Sequence, residues 1–218
     1  METLNLPIEQ NCESYYSYLT VLNQINELKD IPNADITKLE DVVIDKDTDG
    51  QYCLAFAQDV PGADIDKLRN AVIDKDPTGK YCYQFALNIL DTNIQKLQDA
   101  VIQKDTDGQY CLAFAQNIPG ADIQKLQDVI IQKDNDGYYC YLLAKDIIGA
   151  DIQKLQNAVI DKDTDGQYCL AFAQDVLGAD IQKLQDAIIQ KDKDGYYCHQ
   201  FVKDVPGADI QKHQIYSK

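Results

Sequence analysis

Asp45-Lys46-Asp47-Thr48-Asp49-Gly50-Gln51-Tyr52-Cys53-Leu54-Ala55-Phe56-Ala57-Gln58 decides the fold, because versions of it return from positions 74, 103, 132, 161 and 190, each 29 residues after the last. Self-similarity at a period of about 20–50 residues marks a solenoid, a propeller or an array of stacked supersecondary units. Each unit of such an array packs only on its neighbours, so the length of 218 residues counts repeats rather than domains.

The residues that follow Gly50 read as a helix from about Gln51 to Asp59, stopped by Val60-Pro61-Gly62-Ala63. At 100° per residue, Tyr52, Cys53, Phe56, Ala57 and Val60 share one side, and Gln51, Leu54, Ala55 and Gln58 share the other. A second helix opens at Asp64, whose carboxylate suits an N-cap, with Ile65, Leu68 and Val72 on one face and Ala71 and Ile73 flanking it. Asp66, Lys67, Asn70 and Asp74 are left for water. Copies of this half open at Asp35, Asn93, Asp122, Asp151, Asp180 and Asp209, all residues able to cap. A strand over Tyr52 to Phe56 is the competing reading, but the period-two alternation is missing.

Two short helices per repeat cannot bury both apolar faces alone, so stacking is required. The expected fold is all-α, a right-handed α-solenoid of stacked two-helix repeats. Residues 1–34 are expected to form an irregular helical N-terminal cap, 35–208 the tandem 29-residue hairpins, and 209–218 a polar capping helix in which His213 replaces the recurring Leu. The units also alternate in pairs, GlnTyrCysLeuAlaPheAla occurring at 51, 109 and 167. Duplication of a two-hairpin block accounts for that alternation.

The charge is -16, from 36 acidic and 20 basic residues. Such a balance repels nucleic-acid backbones and anionic membranes, and it speeds encounter with a basic partner. No apolar run is long enough to span a bilayer and no leader pattern opens the chain, so no membrane contact is expected and the expected location is cytoplasmic. Six of the seven cysteines (Cys53, Cys82, Cys111, Cys140, Cys169, Cys198) hold one repeat position. Equivalent atoms of packed helices lie roughly 9–10 Å apart, too far for disulfides, so buried reduced thiols are expected. Cys12 lies outside the repeat and is the thiol expected to react.

Three surfaces are candidates for function. The turn Asp45 to Gly50 matches the opening of an EF-hand calcium loop, but the twelfth position, where the loop needs a bidentate Glu, is Phe56. Helix capping by Asp and Thr, with Gly allowing the tight turn, explains the same residues. The second surface is the varied, water-facing side of the Gln51-type helices. It comprises Leu54, Gln58, Tyr83, Leu87, Leu112, Gln116, Tyr141, Lys145, Leu170, Gln174, His199 and Lys203. Exposed in register, these residues form an apolar and aromatic stripe for a protein partner; the alternative is that some of them pack on the next repeat. The third is the ladder of carboxylates, which either mimics nucleic acid or simply solvates the array. No Ser/His/Asp or Cys/His set and no phosphate loop can be assembled, so neither an enzyme nor a cofactor or metal is expected.

The alternating phrases Tyr52-Cys53-Leu54-Ala55-Phe56-Ala57-Gln58-Asp59-Val60 and Gly120-Ala121-Asp122-Ile123-Gln124-Lys125-Leu126-Gln127 resemble those of short tandem helical-hairpin repeat proteins of phages, giant viruses and bacteria. The likeness to the tetratricopeptide and HEAT classes is one of arrangement only, since the chain has no Trp and its period is shorter. The resemblance implies a protein-binding scaffold. Its alternative is an acidic, anti-CRISPR-like inhibitor that occupies the nucleic-acid groove of a host nuclease or defence system, and calcium binding is third.

Overall fold

The computed structural model describes residues 36–90 and 92–212. The expected N-terminal cap, Cys12, Asp35 and His213 lie outside the described residues. Twelve α-helices lie wholly among them, with no strand. Six helices of eleven residues are α1 (Ile36–Lys46), α3 (Ile65–Lys75), α5 (Ile94–Lys104), α7 (Ile123–Lys133), α9 (Ile152–Lys162) and α11 (Ile181–Lys191). Six of nine residues alternate with them: α2 (Gln51–Asp59), α4 (Lys80–Asn88), α6 (Gln109–Asn117), α8 (Tyr138–Asp146), α10 (Gln167–Asp175) and α12 (Tyr196–Asp204).

The chain divides into two compact units, one ending at Lys104 and the other beginning at Asp105. Within each unit a short helix packs most extensively on the long helix that follows it, so the tight hairpin is the one closed by Val60-Pro61-Gly62-Ala63 and its copies. Long helices also touch long helices, and short touch short, one repeat away, giving each unit two helical layers of stacked repeats.

The core between the layers is the apolar set read from the period. Phe56, Leu68 and Val72 in the first unit, and Leu126, Ile130, Leu143, Leu155 and Phe172 in the second, have no exposed surface. Each completely buried Leu or Phe side chain contributes roughly 1.5–3 kcal/mol relative to exposure. Close approach of turn to helix needs glycine at Gly50 and Gly137, where φ is 90° and 92°. A Cβ there would lie 3.2 Å from the Cα of Val72 or Val159.

The caps of the long helices are the expected ones. The carboxylates of Asp64, Asp122, Asp151 and Asp180 each accept the backbone N–H three residues on, at 3.0–3.1 Å. No helix among the described residues is long and apolar enough to cross a membrane.

Candidate partner-binding surface

Each acidic turn is organised by the aspartate at its third position, Asp47 and its equivalents, and not by the residues at the first and fifth. Asp47, Asp76, Asp105, Asp134 and Asp163 are at most 3% exposed. In the Asp134 turn, Oδ1 accepts the N–H groups of Asp136 and Gly137 at 3.3 and 3.2 Å, and Oδ2 accepts that of Cys140 at 2.9 Å. The carboxylate thus satisfies donors that a helix N-terminus otherwise leaves open. Capping therefore explains the turn, with the work done from a buried position.

A lysine of the next repeat closes the turn from behind. Lys75 donates to the backbone carbonyl of Asp47 at 2.7 Å, Lys104 to that of Asp76 and Lys162 to that of Asp134 at 2.6 Å, and Lys133 and Lys191 do the same to Asp105 and Asp163. A loop built for calcium directs carbonyl and carboxylate oxygens at the ion. These turns direct the same oxygens at N–H and ammonium groups.

The recurring cysteines are free and buried behind the same aspartates. Burial, and next the adjacent carboxylate, push the thiols of Cys111, Cys140 and Cys169 well above the ordinary range; Cys198 is pushed up to about 12. Such thiols are poor nucleophiles.

The stripe expected along the short helices does not form. Leu54 and Leu112 are 5% exposed, and Leu170 and Tyr141 are 8% exposed. Neighbouring short helices lie against one another and cover this position. A helical wheel for one hairpin cannot show that cover, which comes from the next repeat. Tyr83 is half-buried.

Position 58 and its equivalents remain exposed, at Gln58, Leu87, Gln116, Lys145, Gln174 and Lys203, as does His199. Two of these residues serve the stack. Gln116 donates to Asp146 at 3.0 Å, and Lys145 donates to Asp175 at 2.8 Å while Tyr141 also donates to that carboxylate. The Lys145 ammonium, and after it the Tyr141 hydroxyl, hold the Asp175 carboxyl below its ordinary range.

Two features escaped the sequence reading. One is a buried polar ladder at Glu40, Arg69, Gln98, Gln127, Gln156 and Gln185, each at most 4% exposed. Gln127 and Gln156 accept the N–H of the next N-cap residue, Asp151 or Asp180, at 2.7 Å, and Gln185 accepts that of Asp209 at 2.8 Å. The Leu-Gln pair recurring at 97, 126, 155 and 184 was its only signal.

The other feature is a tyrosine row at the start of the short helices of the second unit. Tyr138 is 39% and Tyr196 60% exposed, with half-buried Tyr139, Tyr168 and Tyr197 beside them. The ring centroids of Tyr138 and Tyr168 are 5.5 Å apart, bridging consecutive repeats, and Tyr138–Tyr139 and Tyr196–Tyr197 are 5.4 and 5.1 Å apart. Burial and the aspartates of the preceding turn raise the hydroxyls of Tyr139, Tyr168 and Tyr197 above the ordinary tyrosine range. The exposed Asp136, Asp165 and Asp194 border the row, each with Oδ1 accepting the N–H two residues on at 2.9–3.0 Å. The Tyr-Tyr pairs at 138 and 196 are visible in the sequence, and Tyr138 and Tyr196 fall at the position of Gln51 on the water-facing side; the recurring tyrosine at the position of Tyr52 is expected on the buried side, and in Tyr139, Tyr168 and Tyr197 it is only half-buried.

No protein-family model matches the chain, and neither does any curated protein or solved structure.

Proposed function

We propose that the chain is a non-catalytic helical-repeat scaffold that binds a protein partner through the tyrosine row of its second unit. The observation that carries this reading is the exposure of Tyr138 and Tyr196, at 39% and 60%, each against the tyrosine beside it, with the Tyr138 pair continued onto Tyr168 of the next repeat. Tyrosine supplies large contact area for the loss of few rotamers and is enriched where protein interfaces concentrate their energy. The polar face of the long helices offers less, because its lysines are engaged with its own side chains. Lys154 pairs with Asp128, Lys183 bonds Asn157 and Lys212 pairs with Asp186.

The net charge of -16 favours a second reading, in which the exposed carboxylates stand in for phosphates and the chain inhibits a host nuclease or defence complex. The likeness to phage repeat proteins points the same way. Affinity capture from the native host, with the chain and with its Tyr138→Ala/Tyr196→Ala variant at low and high salt, separates the two. The scaffold reading expects a partner retained at high salt and lost with the variant. A partner lost steeply with salt and indifferent to the tyrosines supports the mimic instead.

A further inference from the structure

We infer that the partner segment seated on this face is an extended, arginine-bearing stretch of protein with a basic side chain at every third position, an inference that rests on the scaffold reading and names its partner's chemistry. Three observations converge on it. The first is the state of the equivalent place in the first unit. There Lys80 Nζ lies 5.0 Å from the centroid of the Tyr81 ring, and Thr78 replaces the bordering aspartate. The chain thus places its own cation on one tyrosine of this series. In the second unit the residues equivalent to Lys80 are Gln109, Tyr138, Gln167 and Tyr196, none of them a cation.

The second is charge. Asp136, Asp165 and Asp194 each hold a backbone N–H with one oxygen, and among the described residues no lysine pairs with any of them. The nearby lysines Lys133, Lys162 and Lys191 are committed to backbone carbonyls. A carboxylate beside an aromatic face suits a guanidinium, which stacks on the ring and offers paired N–H donors to the acid. An ammonium also sits over a ring, as that of Lys80 does, but it has no planar fork with which to stack on the ring and pair with the acid together.

The third is register. The short helices α6, α8, α10 and α12 pack side by side, at the roughly 8–10 Å spacing of packed helices. An extended chain in the polyproline-II conformation advances about 3.1 Å per residue, with three residues per turn, so that every third side chain returns to the same face. Three residues of such a chain therefore span one repeat, and every third side chain meets an equivalent tyrosine and aspartate.

Fluorescence anisotropy with synthetic peptides tests this. The probe is a fluorescein-labelled run of Arg-Ser-Ser triplets; the controls are a peptide of the same composition with its arginines clustered, and a Lys-Ser-Ser run. The spaced arginine peptide should bind about tenfold more tightly than either control. Tyr196→Ala should weaken it about two- to fivefold. Asp136→Asn, which keeps the Oδ1 acceptor and removes the charge, should weaken it by a similar factor.

Equal binding of spaced and clustered arginines would overturn the register, and equal binding of the lysine peptide would overturn the assignment of arginine. If no peptide binds while capture of the native partner still depends on Tyr138 and Tyr196, the inference fails and the scaffold reading stands. If capture too is indifferent to them, both fail.

Discussion

Asp134 carries more of its turn than Asp136, the other aspartate of the same phrase. It is 2% exposed and accepts three backbone N–H groups, whereas the exposed Asp136 accepts one. Asp134→Ala should therefore cost about 2–4 kcal/mol in urea denaturation, and Asp136→Ala less than about 1 kcal/mol. The two were indistinguishable as letters in a DxDG phrase. What separates them is the left-handed turn at Gly137, φ 92°, which folds the earlier carboxylate under the helix and leaves the later one outside. Asp175 offers a pH test at the same scale. Its carboxyl is held low by Lys145 and Tyr141. A depressed carboxyl stabilises the fold above the unfolded-chain value and loses that contribution as pH falls through its own lower value. The stability difference between the chain and Asp175→Asn should thus be present at neutral pH and shrink as the pH is taken below the ordinary aspartate range. In Lys145→Gln, an NMR titration should find Asp175 moved back toward the ordinary aspartate range.

At the scale of the element, helix boundaries and long-helix caps were legible because they depend on neighbours within a few residues. Gln51 to Asp59 was read with the ends the structure has, since Gly50 and Pro61 punctuate both sides. The fate of Leu54 was not legible, because its cover comes from a helix one repeat away. The buried glutamines were missed for the same reason: Gln156 looks like a solvent-facing residue until the N–H of Asp180 meets it at 2.7 Å. That bond ties one long helix to the cap of the next. Gln156→Ala leaves the Asp180 donor without its acceptor and should cost about 1–3 kcal/mol in denaturant. Gln156→Glu should recover part of this loss, because Glu40 fills the equivalent place and accepts the N–H of Asp64 at 2.6 Å.

For the molecule as a whole, the repeat reading and the two-layer packing within each unit come from the same cause: a 29-residue period in which neither helix can bury its apolar face alone. The excess of aspartate looked like a uniform acidic ladder in sequence. The fold sorts part of it into buried caps, pairs along the long helices and carboxylates beside the tyrosines of the second unit, and leaves others, such as Asp74 and Asp161, exposed elsewhere. That sorting supports a protein-binding face over a plain acidic surface. Hydroxyl-radical footprinting of the chain, free and in complex with its captured partner, tests it most directly. The account predicts that oxidation of Tyr138 and Tyr196 falls on binding while that of Ile148 and Leu177, 99% and 96% exposed on the hairpin turns, is unchanged. Protection of the turns with both tyrosines still fully reactive would contradict it.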